Sequence, residues 1–147
     1  MKMATTHIDR ARREDLEALL RLLEQNHLPA AGFPEHLDTA FVARQDGQIV
    51  GSAALEVHPD GALLRSVAVS PALQGRGLGR ELTTAAIELA RRMQAPALYL
   101  LTTTAEDYFP KFGFERIARS DVPVAVQASI EFTSACPSSA IVMRRRL

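Results

Sequence analysis

The chain has 147 residues, about the size of one ordinary domain. Lys and Arg together number 17, as do Asp and Glu, so the formal charge is zero and we expect neither a nucleic-acid-binding surface nor a polybasic membrane patch. Apolar residues make up 47% and charged residues 23%, as in an average soluble globule. No apolar run approaches the roughly 20 residues of a membrane span, and the start lacks an apolar signal region. We therefore predict a single cytoplasmic domain over residues 1–147.

The first 40 residues carry one clear helix pattern. Residues 6–10 form a candidate opening strand. Four leucines at i, i+3, i+4 and i+7 then predict an amphipathic helix over residues 13–26; they are Leu16, Leu19, Leu20 and Leu23. Proline and glycine end this helix, and residues 34–37 are a candidate helical turn.

Three strand patterns follow, over residues 41–44, 49–57 and 62–69. The turn signals Asp46-Gly47 and Asp60-Gly61 separate them. Consecutive strands joined by tight turns predict an antiparallel meander.

The second half begins with a glycine-rich loop and the strongest helix pattern. Its apolar stripe has a period of 3.6 and consists of Leu78, Leu82, Ala85, Ala86, Leu89 and Met93. The apolar run 97–101 reads as a buried strand, so strand, loop, helix and strand form a βαβ unit with parallel strands.

Shorter elements complete the chain. We predict a short helix over residues 105–111, a strand over 113–117, a helix over 124–129 and a closing strand over 140–143. Arg144, Arg145 and Arg146 are expected to form a solvated tail. The predicted class is α+β, with one mixed, mostly antiparallel central sheet and helices on both of its faces.

The glycine-rich loop is the most informative segment. It leads from a strand into a helix N-terminus, where unsatisfied N–H groups and the positive end of the helix dipole favour a phosphate. Gly75, Gly77 and Gly79 allow close approach of the backbone, and Arg76 and Arg80 add positive charge. The spacing fits neither a P-loop nor a dinucleotide fingerprint. Phosphate binding and a plain tight turn both remain open at this point.

The run Gln74-Gly75-Arg76-Gly77-Leu78-Gly79 matches the signature Gln/Arg-x-x-Gly-x-Gly/Ala, and the chain here resembles the GCN5-related N-acetyltransferase (GNAT) superfamily. The segments 67–71 and 109–114 look like that family at the right spacing. Residues 100–104, 113–114 and 122–123 resemble the acetyltransferase domain of N-acetylglutamate synthases. Residues 62–69, 100–104 and 131–137 resemble small N-acetyltransferases associated with arsenic-resistance operons.

The resemblance implies a three-layer fold and acetyl-CoA as co-substrate, with no metal. Backbone groups of the loop would hold the pyrophosphate, and those of the preceding strand would meet the pantetheine arm and the thioester carbonyl. The implied cofactor-binding residues are Val67, Ala68, Val69, Gln74, Gly75, Arg76, Gly77, Leu78, Gly79 and Arg80. The strands on either side of the loop and helix would splay apart to make a slot for that arm. The implied reaction is direct acetyl transfer to a small amine, without nucleic acid or membrane, and a homodimer is common in this superfamily.

The chain departs from the family pattern at two positions. Many members carry a general-acid Tyr five residues before the Phe of the Gly-Phe pair, where this chain has Phe109. Tyr108, one residue earlier, is the candidate acid. Because a shift of one residue along a helix is a rotation of about 100°, we expect its side chain to face elsewhere. Solvent or another group is then the alternative acid. Many members also have a Glu early in the strand where Leu63 and Leu64 stand here.

Candidate catalytic and substrate-binding residues follow from these departures, each with an alternative. Glu56 is a candidate base, or a clamp for a substrate ammonium, or a solvent-facing strand residue. His58, on the same strand, is the other candidate base, or a surface residue beside its turn. Arg65 is a candidate ligand for a substrate carboxylate, or belongs to the polar face of its strand. Thr102 and Thr103 are candidate substrate contacts, and one of the threonines 102–104 is equally suited to cap the next helix.

The main functional hypothesis is an N-acetyltransferase acting on an amino acid or amino-acid-like toxicant, with a link to arsenic resistance. Alternatives are a glutamate N-acetyltransferase of arginine synthesis, a non-catalytic acyl-CoA sensor and a protein-tail acetyltransferase. The single cysteine, Cys136, can form no internal disulfide and is a poor arsenical or metal site, so we interpret it as structural.

Overall fold

The structure is a computed structural model that describes residues 6–129, 132 and 139–147. Its strands are β1 (Thr6–Arg10), β2 (Ala40–Gln45), β3 (Gln48–His58), β4 (Gly61–Val69), β5 (Ala97–Thr102), β6 (Glu115–Ile117) and β7 (Ile141–Arg146). Its α-helices are α1 (Leu16–Gln25), α2 (Leu78–Arg92) and α3 (Val124–Gln127). Short 3-10 turns lie at Arg13–Asp15, Phe33–Thr39, Pro71–Leu73, Phe109–Phe112 and Arg119–Asp121.

The seven described strands form one sheet in the order β1-β2-β3-β4-β5-β7-β6. Neighbouring strands are antiparallel except for β4 and β5, which are parallel. The predicted meander is β2-β3-β4, and the predicted βαβ unit is β4-α2-β5. The α+β class with a mixed, mostly antiparallel sheet is therefore confirmed.

Both faces of the sheet are covered by helices. On one face the apolar stripe of α2 packs on strand residues such as Leu55 and Leu64, except for Met93, which lies beyond the helix end and is exposed. On the other face, α1 covers β2 and β3 around Val42, while α3 covers β4 and β5 around Leu63. This is the expected three-layer arrangement. Between the apolar residues under α1 and those under α3, the side chains of Glu56 and Arg65 are buried.

An ion pair explains why α1 begins later than the leucine pattern predicted. Asp15 accepts a hydrogen bond from the Arg12 backbone N–H at 2.8 Å and two from the Arg44 guanidinium at 2.9 and 2.5 Å. The hydrogen bonds from Arg44 hold the pKa of Asp15 below its ordinary value. Residues Arg13–Asp15 consequently form a 3-10 turn tied to β2, and the regular helix starts at Leu16.

Two expectations about the second half were wrong. Arg144–Arg146 are not a solvated tail, because β7 continues to Arg146 between β5 and β6, and Arg145 donates a hydrogen bond to the Phe112 carbonyl at 2.6 Å. The predicted helix over residues 105–111 is instead a 3-10 turn, Phe109–Phe112, with Pro110 near its start and Gly113 at a left-handed φ of 84° at its end.

In the part of the chain that the structure describes, no helix is long and apolar enough to cross a membrane. Cys136 lies outside the described residues.

Candidate active site

A cleft opens where β4 and β5 part. The two parallel strands pair only at Ala62 with Leu98 and at Leu63 with Tyr99, and beyond these pairs they diverge. The cleft has a volume of about 990 Å³. Its walls include parts of β4, the end of β5 and the turn after it, the glycine-rich loop with the start of α2, and the segment after α1; these are residues 64–69, 100–105, 73–75 with 77–80, and 26–29. The slot expected between the two strands is therefore present.

A bulge in β4 shapes the wall of this cleft. Ser52 pairs with Ala68 and Ala54 with Arg65, so two residues of β4 lie opposite one residue of β3. Ser66, inside the bulge, has a left-handed φ of 59°, and its carbonyl accepts a hydrogen bond from the buried Ser52 hydroxyl at 2.6 Å. A non-glycine residue in this conformation is strained, and such strain concentrates at functional sites.

The glycine-rich loop ends at the start of α2, at one end of the cleft. Gly77 is the residue before the helix and has a φ of 87°; a Cβ added there or at Gly75 would meet no atom within 4 Å. The first N–H groups of this 15-residue helix have no partner within it, so they face an open concavity suited to a phosphate. Arg80 lines the cleft in the first turn, whereas Arg76 is exposed and is not among the lining residues.

Gln74 fixes the loop to two neighbouring elements. Its side-chain amide donates to the Val69 carbonyl at 3.1 Å and to Asn26 Oδ1 at 3.3 Å. Its side chain thus holds the end of β4 near the end of α1, and its backbone remains beside the phosphate concavity.

Tyr108 lies in the cleft, contrary to the expectation that it faces elsewhere. Its hydroxyl is 2.9 Å from where a Cβ of Gly79 would be, so glycine at position 79 leaves the space that the phenol fills. The expectation assumed a regular α-helix, whereas Tyr108 directly precedes a 3-10 turn and Phe109 turns into the core. Burial raises the pKa of Tyr108 above its ordinary value of 10.0, against smaller opposite effects of Thr83 and Arg80.

Thr102, Thr103 and Thr104 all line the cleft where β5 ends. The Thr102 hydroxyl accepts a hydrogen bond from the Ala105 N–H at 2.9 Å. The capping interpretation was nevertheless wrong, because the next helical segment begins only at Phe109; Thr102 fixes the turn that follows β5 instead.

Glu56 is the centre of a buried polar cluster, which excludes the alternative of a solvent-facing strand residue. It is 1% exposed, and Arg65 Nη1 donates to its Oε2 at 2.7 Å while the Ser129 hydroxyl donates to its Oε1 at 2.8 Å. The Nε2 atoms of His58 and His36 lie 3.4 and 3.6 Å from Oε1. Burial alone would raise the pKa of Glu56, but hydrogen bonds from Arg65 and Ser129 outweigh it and hold the pKa below its ordinary value.

Arg65 is likewise enclosed rather than part of an exposed polar face. The residue contributes to the lining of the cleft, yet its side chain is 0% exposed. Besides Glu56, the guanidinium donates to the carbonyls of Pro29 and Ala31 at 3.2 and 2.8 Å and to the Ser66 hydroxyl at 3.2 Å.

The structure thus brings most of the predicted cofactor-binding residues together with Tyr108, Thr102 and Thr103 in one cleft, and places Glu56 behind its wall. Sequence reasoning missed Ser52, Ser129 and His36, because no local pattern distinguishes them from ordinary strand and loop residues. Among the described residues, no group of three or more His, Cys, Asp and Glu side chains is arranged to hold a metal ion.

Comparisons with known proteins identify the family of the chain. The family model described as the acetyltransferase (GNAT) family matches residues 3–114. An amino-acid acetyltransferase of Mycobacterium tuberculosis is 29% identical over 130 residues, which cover 81% of this chain and 74% of that protein.

Two solved structures share the fold. N-acetylglutamate synthase from Neisseria gonorrhoeae, complexed with coenzyme A and N-acetyl-glutamate, matches with a TM-score of 0.81 at 25% identity, over 99% of this chain and 36% of that one, so the chain spans about a third of the synthase. Rv2747 from Mycobacterium tuberculosis, in complex with CoA, matches with a TM-score of 0.82 at 24% identity, over 96% of this chain and 99% of that one. The predicted enzyme class and co-substrate are confirmed: the chain belongs to the acetyltransferase (GNAT) family of acetyl-CoA-dependent N-acetyltransferases.

Proposed function

We propose that the chain transfers the acetyl group of acetyl-CoA to the amino group of a free amino acid or of an amino-acid-like small molecule. One observation carries the proposal: a single cleft joins the open N-terminus of α2 to the strained bulge of β4. The first feature suits a pyrophosphate and the second suits a reacting carbonyl. The relatives that are named as amino-acid acetyltransferases support an amino acid as the acceptor.

The cofactor would lie along β4. Phosphate oxygens would take the backbone N–H groups of residues 75–80, with Arg80 adding charge. Arg76 would meet only phosphates outside the cleft, since it is exposed. The edge of β4 at Val67, Ala68 and Val69 has no strand partner on the β5 side, so its backbone groups are available to the amides of the pantetheine arm.

The bulge supplies a donor for the developing negative charge. The Ser66 carbonyl is held by Ser52 of β3, and the carbonyl and N–H of a trans peptide point in opposite directions. The N–H of Val67 therefore points away from Ser52, and we propose that it faces the cleft, which Val67 lines. The acceptor nitrogen attacks the thioester carbon, the carbonyl oxygen becomes an oxyanion that this N–H stabilises, and the C–S bond then breaks.

Two protons complete the reaction. The amine loses one to form the amide, and the departing CoA thiolate gains one. Tyr108 is our proposed acid for the thiolate, because its phenol lies in the cleft and its raised pKa keeps it protonated. For the amine, solvent in the cleft is the proposed proton acceptor: none of the described residues that line the cleft is Asp or Glu, and the enclosure of Glu56 favours another role over the predicted base.

Finer aspects of the function remain predictions. They are the contacts of Thr102 and Thr103 with the acceptor, a toxicant acceptor linked to arsenic resistance, a homodimer and a cytoplasmic location. Nothing in the geometry of the cleft favours glutamate over other amino acids.

The experiment is CoA release from acetyl-CoA, followed with a thiol reagent across amino acids, amino-phosphonates and arsonates, polyamines and basic peptides. Each responding amine is paired with its N-acetylated form, which has no free amine and must not respond. We expect response from one class of free amino acids or analogues. Response only from polyamines or peptides would contradict the proposed acceptor, and silence with intact acetyl-CoA binding would favour an acyl-CoA sensor.

A further inference from the structure

We infer that Arg65, held by Glu56, positions the loop that follows α1 (residues 26–32, here the α1 loop) and so controls acceptor binding without touching the acceptor. The inference rests on the proposed function and names positioning residues for it. In this role Arg65 does not bind a substrate carboxylate directly. It fixes the α1 loop, which forms part of the wall of the cleft.

The guanidinium of Arg65 connects the α1 loop to β4. One nitrogen, Nη2, donates to the carbonyls of both Pro29 and Ala31, at 3.2 and 2.8 Å. Nε donates to the Ser66 hydroxyl at 3.2 Å, within the bulge. Two backbone carbonyls of the α1 loop are therefore fixed to the residue beside the proposed oxyanion donor.

Glu56 makes this arrangement stable. A guanidinium that is 0% exposed needs a counter-charge, and the Glu56 carboxylate supplies it at 2.7 Å. The second carboxylate oxygen is held by Ser129 at 2.8 Å, so the anion is itself fixed. Removing either member of the pair takes the nearest counter-charge away from the other while it stays buried.

The position of Arg65 along β4 indicates an effect on the acceptor rather than on the cofactor. Arg65 lies just before the bulge, whereas the phosphate loop lies beyond Val69, at the other end of the cleft segment of β4. The part of the α1 loop that Arg65 holds includes Pro29, which lines the cleft. Movement of this wall would change the space beside the thioester carbon, where the amine must arrive.

The enclosure of Arg65 argues against direct contact with a substrate carboxylate. To bind one, the guanidinium would have to leave Glu56 and both loop carbonyls and emerge from a fully buried position. A planar fork is suited to its present task, since it reaches a carboxylate, a hydroxyl and two carbonyls at once. Lysine in its place could keep the charge but not these four contacts.

The test uses Arg65→Lys and Glu56→Gln in the full chain, with Arg44→Lys as the matched control. Arg44 forms a bidentate pair with Asp15 on the same sheet but contacts no residue of the α1 loop among its described partners. Kinetics are measured with the responding amino acid and with its α-amide, which keeps the amine and loses the carboxylate. Backbone amide exchange of the α1 loop is measured without substrates, with β5 (Ala97–Thr102) as the internal reference.

We expect Arg65→Lys and Glu56→Gln each to raise the acceptor KM about tenfold, and by the same factor for acid and amide. The acetyl-CoA Kd and kcat stay within about twofold, and exchange of the α1 loop accelerates about tenfold or more relative to β5. Arg44→Lys changes none of these ratios. Loss confined to the carboxylate-bearing acceptor would overturn the inference in favour of direct binding. A fall in kcat at unchanged KM and unchanged loop exchange in Glu56→Gln would instead make Glu56 the base.

A second variant covers the case in which a single charge left alone prevents folding. The double change Glu56→Leu with Arg65→Met replaces the pair by apolar side chains, a replacement that buried ion pairs often tolerate. This double variant supplies no hydrogen-bond donor to the carbonyls of Pro29 and Ala31, so backbone amide exchange of the α1 loop must still accelerate. Unchanged amide exchange of that loop would overturn the inference. Because exchange is read without turnover, the positioning role can be judged even where no acceptor responds and the proposed function fails.

Discussion

Tyr108 places its phenol hydroxyl beside the first turn of α2, in a space that only the glycine at position 79 leaves open. The aromatic rings of Phe109 and Phe112 pack against it at centroid distances of 5.2 and 5.3 Å, so the ring is fixed from two sides. Its orientation could not be predicted from position along a helix. It is set by the 3-10 turn that follows, in which Phe109 packs into the core while the phenol hydroxyl of Tyr108 reaches the start of α2.

We expect Tyr108→Phe to lower kcat by about a hundredfold, because general acid catalysis is typically worth ~10²- to 10⁴-fold. The KM for acetyl-CoA stays within about twofold, since the ring packing is kept. Burial puts the pKa of Tyr108 above 10.0, so the wild-type phenol is protonated at neutral and mildly alkaline pH and kcat falls only when pH rises past that value. The variant lacks this alkaline fall.

The control for this prediction is Tyr99→Phe, which removes a phenol hydroxyl from β5 on the α3 face, outside the residues that line the cleft. Its kcat and pH profile should match the wild type. Full activity of Tyr108→Phe would assign protonation of the thiolate to solvent.

At the scale of elements, predictions succeeded where chemistry is local. The Asp-Gly turns fixed the meander, and the leucine spacing located α1. Predictions of element bounds failed where a residue or strand far away in the chain sets the bound. β7 extends through Arg144–Arg146 because all three residues pair with β5 and Arg144 pairs with β6 as well, and no apolar pattern marks these residues as a strand. The start of α1 is likewise set by Arg44, 29 residues away from Asp15.

The junction of the glycine-rich loop with α2 is the element on which cofactor binding depends. We expect Gly77→Glu to weaken acetyl-CoA binding at least about a hundredfold, because a side chain and a negative charge would enter the concavity that should hold phosphates. The measurement is calorimetric titration with acetyl-CoA.

Gly47→Glu is the matched control for strain. Gly47 lies in the β2–β3 turn with a φ of 77°, close to the 87° of Gly77, and a Cβ there also meets no atom within 4 Å. Both variants should lose about 1–2 kcal/mol of stability from the left-handed conformation, and only Gly77→Glu should lose affinity. Equal losses of affinity would mean that strain, rather than the phosphate concavity, is responsible.

For the molecule as a whole, the sequence was sufficient for the family and the layers but not for the interior of the site. The signature from Gln74 to Gly79 lies in a local strand-loop-helix unit, formed by residues that are neighbours in the chain. The cluster around Glu56 joins β3, β4, the Phe33–Thr39 turn and Ser129, and Ser129 lies 73 residues from Glu56 along the chain. Such a cluster depends on tertiary packing. Glu56 and Arg65 were therefore each predicted as candidate site residues, but their ion pair was not predicted.

The gap between β4 and β5 also has a consequence for stability. The central sheet is held together at this seam by only two residue pairs and by packing, and a cofactor arm lying between the strands would add backbone hydrogen bonds across it.

A ligand that binds only the folded chain, present at a hundred times its Kd, adds about 2.7 kcal/mol to the free energy of unfolding. At roughly 3 °C per kcal/mol for a chain of this size, acetyl-CoA should raise Tm by about 8 °C. Thermal unfolding across an acetyl-CoA titration measures this, and amide exchange should slow along both strands facing the cleft. Gly77→Glu should show neither effect at the same concentrations; an equal rise of Tm in that variant would place the cofactor elsewhere on the molecule.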